Sequence, residues 1–322
     1  MLKYFALFVS TCLFHSLVYA QVLSSEQFID NMVTRHNFNR ANLIKLLAKA
    51  KVRPSILKAI ARPGEAKPWY QYRPLFVNEK RIRQGVQFWK AHAKTLERAQ
   101  ATYGVPAEII IAIIGVETLY GQEMGNFRVI DALTTLSFHY PPRADFFRDE
   151  LENFFLLCRE EQLNPLNPKG SYAGAMGIGQ FMPSSFRQYA VDFDRDGQRN
   201  IWSSVQDAVG SVANYLSAYG WEAGQPVIKA TQVQPEAVSK LLALEFKPYP
   251  FEELEQQGLL FHGEKPKNNK GMLVDLETEQ GTAFWIGFQN FYVITRYNRS
   301  KRYAMAVYQL AQEIARNYVK TI

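Results

Sequence analysis

Only two cysteines occur in the 322 residues, Cys12 and Cys158. Cys12 falls in a leader that reads as a removable export signal: Lys3, an apolar run over residues 4–13, and a Val18-Tyr19-Ala20 ending ahead of Gln21. Removal of residues 1–20 leaves Cys158 alone, which excludes an internal disulfide even in an oxidising compartment. A competing reading makes Cys12 a lipid-attachment site and the protein membrane-associated, although Val9-Ser10-Thr11 is a poor acylation context. Long apolar runs are also missing. The leader's run is short of the roughly 20 residues a spanning helix needs, and no later run is long and uncharged enough.

An excess of acidic residues is absent as well. The formal charge is +7, falling to +6 when Lys3 leaves with the signal, and this favours an anionic partner through long-range attraction. Nucleic-acid motifs are lacking and the basic residues are scattered, so an acidic surface outside the cell fits better than nucleic acid. There is no internal repeat. What is present in quantity is apolar and aromatic residue, 47% and 14%, enough for about 300 residues to bury a large core in two or three lobes.

From residue 25 to about 101 the apolar residues recur at helical spacing, in Phe28, Met32, Leu43, Leu46, Leu47, Ile56, Leu57 and Ile60, punctuated by Pro54, Pro63 and Pro68. Residues 74–96 predict one long helix or a helix pair presenting Phe76, Ile82, Val86, Phe88 and Trp89. A central segment, 103–221, holds an apolar helix opened by Pro106 and a second helical pattern near 145–157. Residues 225–284 change to short extended pieces at 227–230 and 271–276, with a helix near 235–241 and an exposed basic loop at 265–270. An amphipathic helix over 303–318 closes the chain.

Four segments carry chemistry. In the first, the nearly all-apolar stretch beginning at Val105 ends in GVETLYG, 115–121, with one acid, Glu117. Burial raises a carboxyl pKa, which suits a general acid at neutral pH; an acid that caps a local network or faces water is the other reading. In the second, GSYAGAMGIGQFMPSS at 170–185, the glycines allow close backbone approach and room for a bulky ligand. Ser171 and Gln180 then offer hydrogen bonds to a sugar, and Tyr120, Tyr172 and Tyr215 flat faces with polar tips. A tightly packed turn fits that stretch equally well.

The third segment, Asp192-Phe193-Asp194-Arg195-Asp196-Gly197-Gln198, places acids at positions 1, 3 and 5 and glycine at 6 of a calcium loop, with the Gln198 carbonyl at 7. Position 12 is Ser203, so the closing carboxylate must come from further on, and Asp207 is the obvious candidate; a solvated turn is the alternative. A cation there is expected to be structural. The fourth segment, 291–303, mixes aromatic and basic residues able to stack on sugars or meet peptide carboxylates, or simply to pack.

Together these segments resemble the membrane-bound lytic transglycosylase B family, glycoside hydrolase family 103, from about Phe28 to the C-terminus. The likeness also runs through RADFFRDEL at 143–151, YAVDFDRDG at 189–197, GSVANYLSAYGW at 210–221 and NFYVITRYNRSKRYAMAV at 290–307. It implies a mainly helical α+β fold, a lysozyme-like core over 103–222, with a helical lobe from 21–102 completed by 304–322 and a small β-containing lobe over 223–303. It implies Glu117 as acid and base, Ser171, Gln180 and Tyr215 lining muramoyl sites, Tyr297, Asn298 and Tyr303 completing the cleft, and a cation at Asp192, Asp194, Asp196 and Asp207. Two departures stand out: Ile178-Gly179 where some members carry proline before Gln-Phe, and the spacing to Asp207.

The resemblance further implies a periplasmic enzyme that cuts the β-1,4 bond between N-acetylmuramic acid and N-acetylglucosamine in peptidoglycan and leaves 1,6-anhydromuramoyl ends. Glycosidases ordinarily pair two carboxylates, and here one is convincing. The alternatives are a muramidase using water, with Glu123 or Asp131 as second acid, and a non-catalytic wall-binding scaffold. The expected partner is the glycan strand, met by a monomer; complexes of cell-wall synthesis are the protein partners this implies, and no cofactor is needed for the chemistry.

Overall fold

The computed structural model describes residues 24–61 and 67–320. The export signal, Cys12, the cleavage point ahead of Gln21 and Pro63 lie outside the described residues. Five helices come first: α1 (Ser25–His36), α2 (Arg40–Ala48), α3 (Pro54–Ile60), α4 (Trp69–Phe76) and α5 (Glu79–Tyr103). Ser24 and Gln27 cap α1 reciprocally, and Asn39 and Asn78 accept the free N–H groups that open α2 and α5. The 74–96 stretch is therefore a helix pair, broken at the Asn78 cap, and α5 kinks at His92.

Next come α6 (Ala107–Thr118), β1 (Phe127–Arg128), α7 (Val129–His139), α8 (Ala144–Glu160), β2 (Lys169–Gly170), α9 (Pro183–Tyr189) and α10 (Val205–Ala218). Helix α6 is apolar all round because it is buried all round, by α5, α10 and the last helix. Its five isoleucines, Ile109, Ile110, Ile111, Ile113 and Ile114, are buried. Each contributes roughly 1.5–3 kcal/mol by leaving water, which anchors the end of this helix as a rigid platform.

The β lobe contains β3 (Ile228–Ala230), β4 (Gln232–Val233), α11 (Val238–Leu242), β5 (Tyr249–Pro250), α12 (Phe251–Gln256), β6 (Leu259–Leu260), β7 (Lys270–Thr278) and β8 (Gly281–Gly287). Its main sheet is antiparallel in the order β3-β8-β7-β5, with Leu273 opposite Ile286. Alternation along β7 divides its side chains between two cores. Met272, Val274 and Leu276 join the large helical core, while Leu273 and Ile286 join a smaller cluster with Phe251, Leu254 and Phe288.

The chain ends in α13 (Gln289–Tyr297) and α14 (Lys301–Val319). Helix α14 packs on α4, α5 and α6, as the amphipathic pattern predicts. The first helices turn elsewhere: Phe28 meets Phe138 and Phe155, and His36 pairs with Glu152 of α8. The beginning and end of the chain thus share one core with the central segment. Among the described residues no single helix is long and apolar enough to cross a membrane.

Candidate active site

Glu117 is the penultimate residue of α6, and the chain beyond it makes an abrupt exit. Leu119, Tyr120 and Gly121 all have positive φ, 49°, 61° and 86°. Two successive non-glycine residues in the left-handed region store strain that the surrounding packing must hold. Thr118 supplies part of that hold: its hydroxyl donates to the Ile178 carbonyl at 2.7 Å and accepts from Gly121 N–H at 2.9 Å. Arg81 supplies more, donating to the Gly115 carbonyl from outside the helix end.

Tyr303, on the first turn of α14, donates its hydroxyl to Glu117 Oε1 at 2.6 Å. The side chain is half-buried, and burial raises its pKa to about 7; the Tyr303 hydrogen bond works in the opposite direction. Tyr297, at the end of α13, donates to the Gly179 carbonyl at 2.6 Å, and burial followed by the nearby Glu117 charge pushes its own pKa far up. Tyr215 donates to the Arg296 carbonyl at 2.6 Å and meets the Tyr297 ring at 4.8 Å. The three-residue break between α13 and α14 is what brings Tyr297 and Tyr303 to one acid.

The glycine-rich segment is tightly packed rather than roomy. A Cβ on Gly174 would stand 2.5 Å from Leu133, and one on Gly177 2.5 Å from the Ile201 carbonyl. Ser171 accepts Ala173 and Ala175 N–H groups, which shapes its loop. Gln180 donates to Gly177 and Met124 carbonyls; its Oε1, like the Asn298 amide, has no hydrogen-bond partner among the described residues.

Tyr120 departs from the expected sugar contact at its polar tip. Its hydroxyl donates to the Arg81 carbonyl at 2.7 Å and fills a notch left by Gly85 and Gly115. The tip is thereby spent on joining α5 to α6. The two alternative acids are also placed. Asp131 is fully buried and accepts from Lys51 N–H, Arg53 and Arg128, tying α7 to the approach to α3. Glu123 is exposed.

In the 192–198 loop, one carboxylate oxygen each from Asp192, Asp194 and Asp196 lies within 4.8 Å of the others. Arg195 and Gly197 have φ of 66° and 92°, which curl the loop. The Gln198 N–H donates to Asp196. Three hard oxygen donors round one turn fit a calcium ion. Asp207 does not join that group. Its carboxylate accepts N–H groups from Phe193, Asp194 and Asn200, at 2.7, 3.2 and 2.8 Å, because the first turn of α10 sets it behind the loop.

The transglycosylase SLT domain family matches residues 23–312. The chain belongs to this family. It is 46% identical over 302 residues to the membrane-bound lytic murein transglycosylase B of Escherichia coli K12, covering 91% of this chain and 82% of that protein. Soluble lytic transglycosylase SltB1 from Pseudomonas aeruginosa is 50% identical in its crystal structure, with a TM-score of 0.84 and coverage of 90% and 98% of the two chains. Lytic transglycosylase Slt35 of E. coli, solved in complex with calcium, is 45% identical with a TM-score of 0.80 and coverage of 91% and 93%.

Several residues that tie the elements of this core together have little or no signal in the sequence. Thr118 had a signal, a hydroxyl on an otherwise apolar helix beside the acid. Arg81 had none, since its partner is a carbonyl. Glu150, 4% exposed and bonded to the Ser184 N–H and hydroxyl, was likewise hidden in an ordinary amphipathic helix.

Proposed function

We infer that the chain is a lytic transglycosylase that cleaves the β-1,4 bond between N-acetylmuramic acid and N-acetylglucosamine, with Glu117 as acid and then base. The observation that carries this is the half-buried Glu117 carboxyl with its pKa raised to about 7 and one oxygen committed to Tyr303. Such a group holds a proton at neutral pH yet releases it readily. With Oε1 taken by Tyr303, Oε2 is the oxygen that exchanges the proton.

Protonated Glu117 gives its proton to the glycosidic oxygen as the C1–O bond breaks, and the 2-acetamido group stabilises the charge developing at C1. The Glu117 carboxylate then takes the proton of the 6-hydroxyl while O6 bonds to C1. The acid is regenerated, water is not consumed, and the product is a 1,6-anhydromuramoyl end. Holding an intramolecular hydroxyl at C1 favours it over bulk water. Ser171, Gln180, Tyr215, Tyr297 and Asn298 line the sugar sites in this reading, with Gln180 Oε1 and the Asn298 amide as free hydrogen-bonding groups. A hydrolytic muramidase is disfavoured, because Asp131 is spent on arginines and Glu123 is exposed.

Calcium, held by Asp192, Asp194, Asp196 and the Gln198 carbonyl, is structural here and supplies only rigidity to the loop. That E. coli Slt35 is solved in complex with calcium supports an ion of this kind here. The protein acts in the periplasm after export. Mass spectrometry of products released from purified peptidoglycan tests the proposal: anhydromuramoyl ends, absent with Glu117→Gln, are the expected result, and reducing ends overturn it.

A further inference from the structure

The basic residues are spread along the chain, but the acids are not: none occurs between Asp30 and Glu65. Residues 37–61 hold Arg40, Lys45, Lys49, Lys51, Arg53 and Lys58, six positive charges that equal the whole formal charge left once Lys3 has gone with the signal. Arg40 pairs with Glu26 and Asp30 of α1, and Arg53 is spent on the buried Asp131. Lys45, Lys49, Lys51 and Lys58 are exposed and have no carboxylate partner among the described residues. A surplus of this kind, held in one segment, draws an anionic surface across a Debye length, ~10 Å at 0.1 M salt.

Helix α2 gives the same segment a second property. Leu43, Leu46 and Leu47 turn toward the core, as a surface helix requires. On the opposite side, at spacings of three and four, Ala41, Ile44 and Ala48 are exposed, with Lys45 as the charged residue of that strip. Ile44 is 48% exposed, and so is Val52 in the link to α3. The water-facing side of such a helix ordinarily carries polar residues. Here it is apolar, with free lysines beside it in the sequence. The backbone beneath is held in place, because Lys51 N–H and the Arg53 guanidinium bond Asp131 and Arg128 donates to the Lys49 carbonyl. The face is therefore preformed, and none of its residues belongs to the catalytic site.

We propose that α2, the 49–53 link and the first turn of α3 dock on a bilayer surface that carries anionic phospholipid. The lysines meet the phosphate headgroups, and Ile44 and Val52 enter the boundary between headgroups and acyl chains. A soluble anionic polymer would satisfy the lysines but leave both apolar side chains in water, which is why the bilayer is the better match. Docking of this kind needs no acyl chain, so it is independent of Cys12. It is reversible, and it sets where the protein sits rather than what it cuts.

The test uses the protein beginning at Gln21, which carries no lipid, in co-sedimentation with vesicles of phosphatidylcholine alone and of phosphatidylcholine mixed with phosphatidylglycerol. The parent is expected to bind the mixed vesicles, not the neutral ones, and to release them as salt rises. A lysine near an anionic bilayer is worth about fivefold in binding, so Lys45→Glu/Lys49→Glu should lower it by at least about 25-fold. Ile44→Ser/Val52→Ser should lower it about tenfold while the salt dependence remains. Lys80→Glu/Lys94→Glu, the same charge change on α5, should stay within about threefold of the parent. All six side chains are exposed, so the melting temperatures of the variants should match the parent. No binding to either vesicle, equal binding to both, unchanged binding in either α2 variant, or an equal loss in the α5 variant overturns the proposal. Binding to purified sacculi but not to vesicles, abolished by the α2 charge reversal, also overturns it and makes the face a wall-binding surface. No readout depends on turnover, so the outcome stands apart from the glycosidic reading above.

Discussion

Tyr303 and Glu117, 186 residues apart in sequence, are joined by a hydrogen bond of 2.6 Å from the phenol to Oε1. This contact ties the last helix to the end of α6 and sets which carboxylate oxygen is free to move a proton. Burial pushes the Glu117 pKa up, and the phenol holds part of that rise back by favouring the ionised form.

Removing the phenol therefore moves the pH profile upward. In Tyr303→Phe the Glu117 pKa is expected to rise above about 7, so the alkaline limb of kcat/KM shifts to higher pH. The rate falls at the same time, because the carboxylate formed on protonating the leaving group loses a stabilising donor. A rate profile from pH 5 to 9 checks both, and an unmoved limb contradicts the role given to Tyr303.

Glu117→Gln is expected to lower turnover by roughly 10²–10⁴, the usual worth of a positioned acid and base. The same substitution should make the protein relatively more stable at alkaline pH. A carboxyl whose folded pKa is about 7 instead of 4.5 contributes fully below 4.5 and loses that contribution as pH rises through 7. The stability gap to the Gln variant should open across that window, reaching at most about 3 kcal/mol. Urea melts at pH 4, 6 and 8 measure it.

Tyr120→Phe separates a packing role from a sugar contact. The lost bond to the Arg81 carbonyl should cost about 1 kcal/mol of stability with KM unchanged. A large rise in KM with an unchanged melting point would restore the sugar contact.

Asp207 and the three loop acids should behave differently on metal removal. A chelator is expected to lower the melting temperature of the parent, and Asp194→Ala to abolish that response. Asp207→Ala leaves three N–H groups without an acceptor, and should cost about 3 kcal/mol whether or not calcium is present. Calorimetric melts with and without calcium distinguish the two.

Gly177→Ala is expected to destabilise by about 2 kcal/mol or more, since φ is 69° and the new Cβ would press on the Ile201 carbonyl. A melt that matches the parent would show that the loop yields without cost.

Much of this protein follows from local sequence. The all-apolar run of α6 with one acid at its end, the capped amphipathic helices, the change to extended pieces after residue 225 and the spaced acids of the 192–198 loop are each written in adjacent residues, where periodicity and spacing act. Tertiary structure alone decided the rest. It placed Tyr120's hydroxyl between two glycines of different helices, drew Asp207 behind the loop, and spent Asp131 on two arginines. It also gave Glu117 a partner from the last helix. These are long-range meetings of single side chains. They depend on how the break between α13 and α14 seats against α6, which no local pattern records.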